Sequence, residues 1–334
     1  MTRAEIPGLE APDAELERDL RARLDQVESF MEKVVKAYFE LTSEAAGYLL
    51  AAGGKRFRPM LVLLSGYFGD PTDARLIGGA AAIELTHVAT LYHDDVIDEA
   101  EYRHGVASVN ARWSNSVAIV SGDFLFARAA EIASDLGTDV TKLLARTIAT
   151  VSDGQIREVA ASGSLDQNEE SYRENIRRKT AALIATSCRL GGMLSDAPPE
   201  TVEVLDAFGE AVGLGFQLSD DIMDVISTER ELGKEPGVDM KEGVYTLPVL
   251  HALRHGERAE ELAEILAPGP PDGDGLTRAL QIVSSDGSLR HAREAVTEEV
   301  RRAKELASRL PGGVAGSALD HLADFIAARC GAQP

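Results

Sequence analysis

Cysteine is almost missing from this chain: Cys188 and Cys330, far apart, are the only two. A disulfide framework is excluded, and the pair fits a reduced, cytoplasmic setting. Aromatic residues make up only 5%, which argues against a sheet-rich fold, because strands draw on aromatic and β-branched side chains. Positive charge is also scarce. Lys and Arg number 34 against 55 Asp and Glu, for a net charge of -21. Nucleic acid is therefore excluded as a partner, since a phosphate backbone needs a basic surface. So is polybasic docking on an anionic membrane. No uncharged stretch approaches the roughly 20 apolar residues of a membrane span, so no integral membrane segment is expected. The opening "MTRAEIPGLEAPDAELERDL" has no apolar signal core. There is no G-x-x-x-x-G-K-[ST], no G-x-G-x-x-G and no G-x-S-x-G, which disfavours nucleotide and α/β-hydrolase chemistry.

What is present is helix. The 334 residues are 44% hydrophobic, and the apolar positions recur at three- and four-residue steps. From Asp13 to Ala51 they run Leu16, Leu20, Leu24, Val27, Phe30, Met31, Val34, Val35, Tyr38 and Phe39. Gly53 and Gly54 break the pattern, and Pro59 suits the first turn of the next helix. Helices are predicted over 59–69, 73–99, 106–135, 138–162, 169–195, 200–227, 276–284, 287–309 and 315–329. Residues 231–245 and 267–275 read as loops, and no strand alternation appears. The expected architecture is all-α: a flexible tail over 1–13, then a single helical domain over 14–334. Trp113 is expected in the core. His251 and His255, one turn apart, read as surface residues without neighbouring ligands.

Two features do not fit a plain helical core. "LYHDDVIDEAEYRHG" places Asp94, Asp95 and Asp98 at the end of an apolar helix, and "FQLSDDIMDV" repeats the D-D-x-x-D spacing at Asp220, Asp221 and Asp224. Residues four apart share a helix face, so Asp94 and Asp98 project together, with His87 two turns upstream. Asp95 points about 100° away. In the second helix Gly213, Gln217, Asp220, Asp221 and Asp224 share a face, opposite Leu214, Leu218, Ile222 and Val225. A single triplet could be a solvated helix end. Two identical ones inside apolar helices favour hard divalent cations held by carboxylates, with phosphate oxygens completing the shell. Cations lie near predicted helix ends and loops: Lys55, Arg56 and Arg58 in "GGKRFRP", then Arg103, Lys179 beside Thr180, and Lys234. Charge-assisted contacts from such side chains suit phosphate.

In the order "GGKRFRP", "ELTHVATLYHDDVIDEAEYRHG", "GDFLFARA", "GQIRE", "RKTAAL", "GFQLSDDIMDV" and "GKEPGVDMKEGVYTLPVL", the chain resembles the trans-isoprenyl diphosphate synthases, or polyprenyl synthetases, from about residue 20 to 330. The resemblance implies a homodimeric all-α barrel whose two aspartate motifs face a central cavity. Asp94, Asp98 and Asp220 would ligate Mg²⁺, three ions per site. Asp95, Asp221 and Asp224 belong to the same acidic site, and the six aspartates with Lys179 and Lys234 form the catalytic set. Arg103, Lys179, Gln217 and Lys234, with Thr180 nearby, would contact an allylic diphosphate. Lys55, Arg58 and His87 would grip isopentenyl diphosphate. The implied reaction is ionisation of the allylic diphosphate, attack by the isopentenyl double bond, and proton loss to the departed diphosphate. Metal and cations stabilise the leaving charge, and an apolar cavity protects the carbocation.

The chain departs from the family pattern twice. His104 follows Arg103 where a second arginine is usual, and Val244 replaces a usual lysine. His104 can still donate a hydrogen bond to isopentenyl diphosphate, with a charge that depends on its surroundings. Product length in the family depends on how soon the growing chain meets a bulky side chain. Here the residues four and five before Asp94 are small, Thr90 and Ala89. At about 1.5 Å per residue they lie about 6–7.5 Å below the metal site, which predicts a product longer than farnesyl, about six to ten isoprene units. Geranylgeranyl is the alternative, if the tunnel closes deeper. A class I terpene cyclase or a head-to-head synthase is disfavoured by the second D-D-x-x-D. A non-catalytic subunit of a heteromeric synthase is the reading from a different class, though both triplets are intact.

Overall fold

The computed structural model describes residues 13–226, 236–285 and 287–332. It is helical nearly throughout, as expected, and no helix among the described residues is long and apolar enough to cross a membrane. The chain divides into two compact units. The first comprises Met1–Ile148, Leu183–Ala207 and Ala307–His321, and the second Ala149–Ala182, Phe208–Leu306 and Leu322–Pro334.

The first unit begins with α1 (Ala14–Val34). The Asp13 carboxylate caps it by accepting from the Glu15 and Leu16 amides at 2.8 and 3.3 Å, satisfying donors that have no partner within the helix. Leu16, Leu20, Leu24, Val27 and Met31 are buried along one stripe. The helical pattern expected to run on to Ala51 breaks at 35–39 instead. The Ser43 hydroxyl accepts from the Ala37 amide at 2.7 Å, a local side-chain bond that competes with the helix ladder. Tyr38 and Phe39 consequently face solvent. The chain then forms α2 (Glu40–Ala52), α3 (Phe57–Ser65) and α4 (Arg75–Ile97). Helix α4 is buried on most sides, through Leu76, Ile83, Leu85 and Tyr92 among others.

A strand pair that the sequence pattern does not reveal follows α4: β1 (Tyr102–Arg103) is antiparallel to β2 (Val106–Ala107), with Arg103 opposite Val106. The two loop residues, His104 and Gly105, have φ of 51° and 78°. That is the type I′ hairpin geometry, which requires positive φ at both positions. Two-residue strands are too short for any periodicity to register. The single helix predicted over 106–135 is divided accordingly into β2, α5 (Val109–Arg112) and α6 (Asn115–Leu136). Ser108 and Ser114 each cap a new start, accepting from Ala111 and Val117 amides at 3.3 and 3.2 Å. Trp113 sits at the break and is half-buried rather than in the core. It packs edge-on against Tyr48 at 5.2 Å and lies under the Arg112 guanidinium.

Helix α7 (Thr138–Ala161) leads on in sequence, and α8 (Glu169–Ile176) starts in the second unit, capped by Asn168. Residues Arg177–Ala181 then form a π-helical turn before α9 (Ala182–Leu194). Helix α10 (Pro199–Ile226) carries the second aspartate triplet. Residues 227–235, including Lys234, lie outside the described residues. The predicted loop 231–245 contains one helical turn, α11 (Val238–Lys241). The remaining helices are α12 (Leu247–His255), α13 (Ala259–Leu266), α14 (Gly273–Ser285), α15 (Ser288–Ala307) and α16 (Val314–Arg329). Phe208, Ile222, Tyr245, Leu262 and Ile282 are among the fully buried residues of the second unit.

Candidate active site

In the first unit the end of α4 sorts its three aspartates by environment. Asp98 caps the helix, its amide bonded to the Asp94 carbonyl at 2.8 Å. Asp98 is exposed and Asp94 half-buried, so this face of the last turn meets solvent. Asp95 points inward and is 0% exposed. Arg103 donates to Asp95 Oδ1 through Nε at 2.7 Å and through its terminal nitrogen at 2.6 Å. Burial pushes the Asp95 carboxyl above its usual range, and the Arg103 charge opposes that. Asp95 Oδ2 is buried with no hydrogen-bond partner among the described residues. The hairpin thus brings Arg103 back against α4, and the fixed His104–Gly105 turn makes that return possible.

The "GGKRFRP" turn separates its cations. Arg56 takes up a left-handed conformation, φ 47°, and its guanidinium turns into the protein. It reaches Glu84 at 3.0 Å, Glu28 at 3.2 Å and the Leu50 carbonyl at 2.8 Å. Arg56 and Glu84 are 8% and 4% exposed, so the pair anchors the turn beneath its outward residues. Lys55 is exposed and Arg58 half-buried. Arg58 lies 3.0 Å from His87 Nε2. A guanidinium can only donate, so Nε2 accepts and the His87 ring is neutral with its proton on Nδ1. The electrostatics agree: burial, then the Arg58 charge, hold His87 well below the usual imidazole range. His104 is also lowered, by desolvation and then by Arg103, so it is neutral at neutral pH and does not replace a cation. Thr90 is half-buried and donates to the His87 carbonyl at 2.7 Å, and Ala89 is buried.

In the second unit, Lys179 and Thr180 lie on the π-helical turn, a feature frequent at functional sites. Lys179 pairs with Glu158. Thr180 donates to Gln217 Oε1 at 2.8 Å, and Gln217 Nε2 donates to Asp221 Oδ1 at 2.8 Å. Tyr172 donates its hydroxyl to Asp221 Oδ2. Asp221 is 1% exposed, and burial raises its carboxyl above the usual range. Asp224 is also buried and accepts from the Asp239 amide at 3.3 Å. Asp220 is the half-exposed member, paired with Arg329, whose guanidinium also reaches Ser219 Oγ at 3.1 Å and covers the Phe216 ring. Two glycines press on the π turn. A Cβ on Gly154 of α7 would lie 2.6 Å from the Lys179 amide nitrogen, and one on Gly213 of α10 would lie 2.6 Å from Ala181 Cα.

The triplets divide alike at their first two members and differently at the third. Asp94, Asp98 and Asp220 keep accessible oxygens, while Asp95, Asp221 and Asp224 are inside. Among the described residues no three donors are gathered as for a bound ion. The accessible donors are all carboxylate oxygens, the chemistry that hard cations such as Mg²⁺ require. Sequence reading missed Tyr172, Arg329, Glu158 and the Arg56–Glu84 pair. No short-range signal could have found them, since Tyr172 and Arg329 are 49 and 109 residues from their aspartates.

An all-α fold that buries polar networks behind two aspartate-bearing helix faces, with a basic turn beside one of them, defines an isoprenoid-synthase type of protein. The comparisons make this specific. The sequence matches the polyprenyl synthetase family over residues 39–283. It is 38% identical to the nonaprenyl diphosphate synthase of Mycobacterium tuberculosis, covering 98% of both chains. It is 40% identical to heptaprenyl diphosphate synthase component 2 of Geobacillus stearothermophilus, over 92% of this chain and 95% of that one. Among solved structures, the geranylgeranyl pyrophosphate synthase of Corynebacterium glutamicum, complexed with calcium and isoprenyl diphosphate, superposes with a TM-score of 0.86. It is 40% identical over 96% of this chain and 99% of that one. The chain belongs to the polyprenyl synthetase family and is a prenyltransferase.

Proposed function

We propose that the chain condenses isopentenyl diphosphate onto an allylic diphosphate in a Mg²⁺-dependent reaction. The observation that carries this reading is the sorting at α4: Asp94 is half-buried and Asp98 exposed one turn on, with Asp95 withdrawn onto Arg103. Mg²⁺, three ions by family resemblance, would be held by Asp94, Asp98 and Asp220, and would neutralise charge developing on the leaving diphosphate. The protein's own groups do the rest. Lys179 and Thr180 on the π turn, with Gln217 and Arg103, orient the allylic diphosphate, and Lys234 adds a further cation. Lys55, Arg58 and neutral His87 hold isopentenyl diphosphate, to which His104 donates through its ring N–H. Val244 contributes no charge, so one diphosphate contact of the family pattern is replaced by none. The small Thr90 and buried Ala89 leave room for a chain longer than farnesyl, and geranylgeranyl is the shorter alternative. Ile119 and Val120 on α6, 43% and 64% exposed, support a homodimer, since a second copy would cover them.

Incubation of the isolated chain with Mg²⁺, labelled isopentenyl diphosphate and an allylic primer tests the reading. Extension that disappears in Asp94→Ala and in Asp220→Ala, with unchanged circular dichroism, supports it. Near-wild-type turnover in either variant refutes the metal assignment. The similarity to a component 2 protein favours a second reading, in which this chain works as one part of a two-component synthase. That reading predicts no extension by the isolated chain and activity restored by a companion subunit.

A further inference from the structure

The candidate site leaves five of the seven histidines unused: His93, His251, His255, His291 and His321. His251, expected at the surface, is half-buried. It stacks on His291 at 4.3 Å and lies 3.0 Å from Ser288 Oγ, so it serves the packing of α12 on α15. His93 stands elsewhere, immediately before Asp94 on α4. It is half-buried and turned towards α6, within the first unit. Its Nε2 lies 3.0 Å from the Ile119 carbonyl oxygen and 3.5 Å from Asp123 Oδ1. A carbonyl oxygen can only accept, so Nε2 carries the proton and donates. The ring is tilted against Phe126, with centroids 5.6 Å apart. Gly122 is the notch that admits it. A Cβ there would overlap His93 Nε2, lie 2.6 Å from His93 Cδ2 and lie 3.2 Å from the Ala89 carbonyl oxygen.

We propose, on the reading of Asp94 as a Mg²⁺ ligand, that His93 is a positioning residue: it clamps the end of α4 to α6 and so fixes where the Asp94 carboxylate stands. Helix ends fray unless side chains hold them. The last turn of α4 has no basic residue to meet its carbonyls. Side chains on either side of Asp94 hold it instead. Asp95 is tied to Arg103 of the hairpin, and His93 is tied to Ile119 of α6. Asp94 lies between these two anchors in the chain, so its backbone is fixed in rotation and in height. A ligand must be held to within about 0.5 Å for its site to work, by neighbours whose own rotamers are locked. The notch at Gly122 and the Phe126 ring lock the rotamer of His93. His93 itself need touch neither metal nor substrate.

The test is Mn²⁺ binding to the full chain with inorganic diphosphate present, read from the paramagnetic resonance of the free ion. It is run beside steady-state kinetics and a thermal melt. His93→Phe keeps a ring and removes the donor. Its Mn²⁺ affinity should fall about tenfold, the scale on which an orienting partner acts. The loss in kcat/KM should lie in kcat, and the Tm should stay far above the assay temperature, so that binding is measured on folded chain. His93→Gln, whose amide nitrogen can reach the Ile119 carbonyl, should recover most of the affinity. Gly122→Ala should reproduce the loss by expelling the ring, and should add little to it in a His93→Ala background. Unchanged Mn²⁺ affinity in His93→Phe and Gly122→Ala overturns the positioning role, provided that Asp94→Ala loses the ion. If Asp94→Ala binds Mn²⁺ as wild type does, the metal reading falls and the role of His93 falls with it.

Discussion

Replacing Gly213 by alanine tests how the second half of the site is positioned. The new Cβ would lie 2.6 Å from Ala181 Cα and 2.8 Å from Ala181 Cβ. Carbon atoms rest at about 3.5–4.0 Å, so α10 and the π turn must separate by about 1 Å. Overpacking of this kind costs about 1–3 kcal/mol. Alanine in a helix interior recovers about 1 kcal/mol relative to glycine, which leaves a net loss of at most about 2 kcal/mol. Activity should suffer more than stability. The π turn carries Lys179 and Thr180 immediately before Ala181, and a displacement of about 1 Å in a positioning group can cost about 100-fold. The assay is kcat/KM for labelled isopentenyl diphosphate beside a thermal melt. The expected result is a fall of ten- to a hundredfold in kcat/KM with a Tm lowered by only a few degrees. Full activity with an unchanged or raised Tm would refute the reasoning, because the close approach would then constrain nothing.

Arg56→Met removes the partner of Glu84, which is 4% exposed, and should cost about 3–5 kcal/mol in denaturant unfolding; Arg56→Met with Glu84→Leu should recover much of it, and a neutral single variant would contradict the anchoring role. His87 should make the fold acid-sensitive. Its pKa is depressed in the folded protein, so between that pKa and the unfolded value of about 6.5 the unfolded state binds more protons. The stability it contributes above pH 6.5 is lost as pH falls, and His87→Gln should remove up to about 1.4 kcal/mol per pH unit of that slope; an identical pH profile in the variant would rule out His87 as the source. Thr90→Phe and Ala89→Phe should shorten the products seen by chromatography, and an unchanged product distribution would show that this turn of α4 does not limit the chain.

The sequence made the helices legible because their apolar stripes are long and regular, as in α1 with Leu16, Leu20, Leu24, Val27 and Met31. It made the aspartates legible because acids inside apolar helices are costly and conspicuous. Local hydrogen bonding hid the rest. Ser43 ends the helical run that Tyr38 and Phe39 continue on paper. His104 and Gly105 make a two-residue turn that no periodicity records. Spacing set Asp95 apart from Asp94 and Asp98 but grouped Asp220, Asp221 and Asp224 on one face, whereas the structure assigns Asp95 to Arg103 and Asp221 to Tyr172 and Gln217. Tyr172 is distant from Asp221 in the chain, as Ala181 is from Gly213, and no local pattern records such contacts. His104 gained most from the structure. It sits where its φ suits a type I′ turn, and its ring is kept neutral beside Arg103.

Chromatography of the dephosphorylated products made by the isolated chain, with Mg²⁺, labelled isopentenyl diphosphate and an allylic primer, tests the central claim most directly. The expected products are all-trans, longer than farnesyl and dependent on metal. A predominant farnesyl product would contradict the reading of Ala89 and Thr90, and no extension at all would contradict a self-sufficient enzyme.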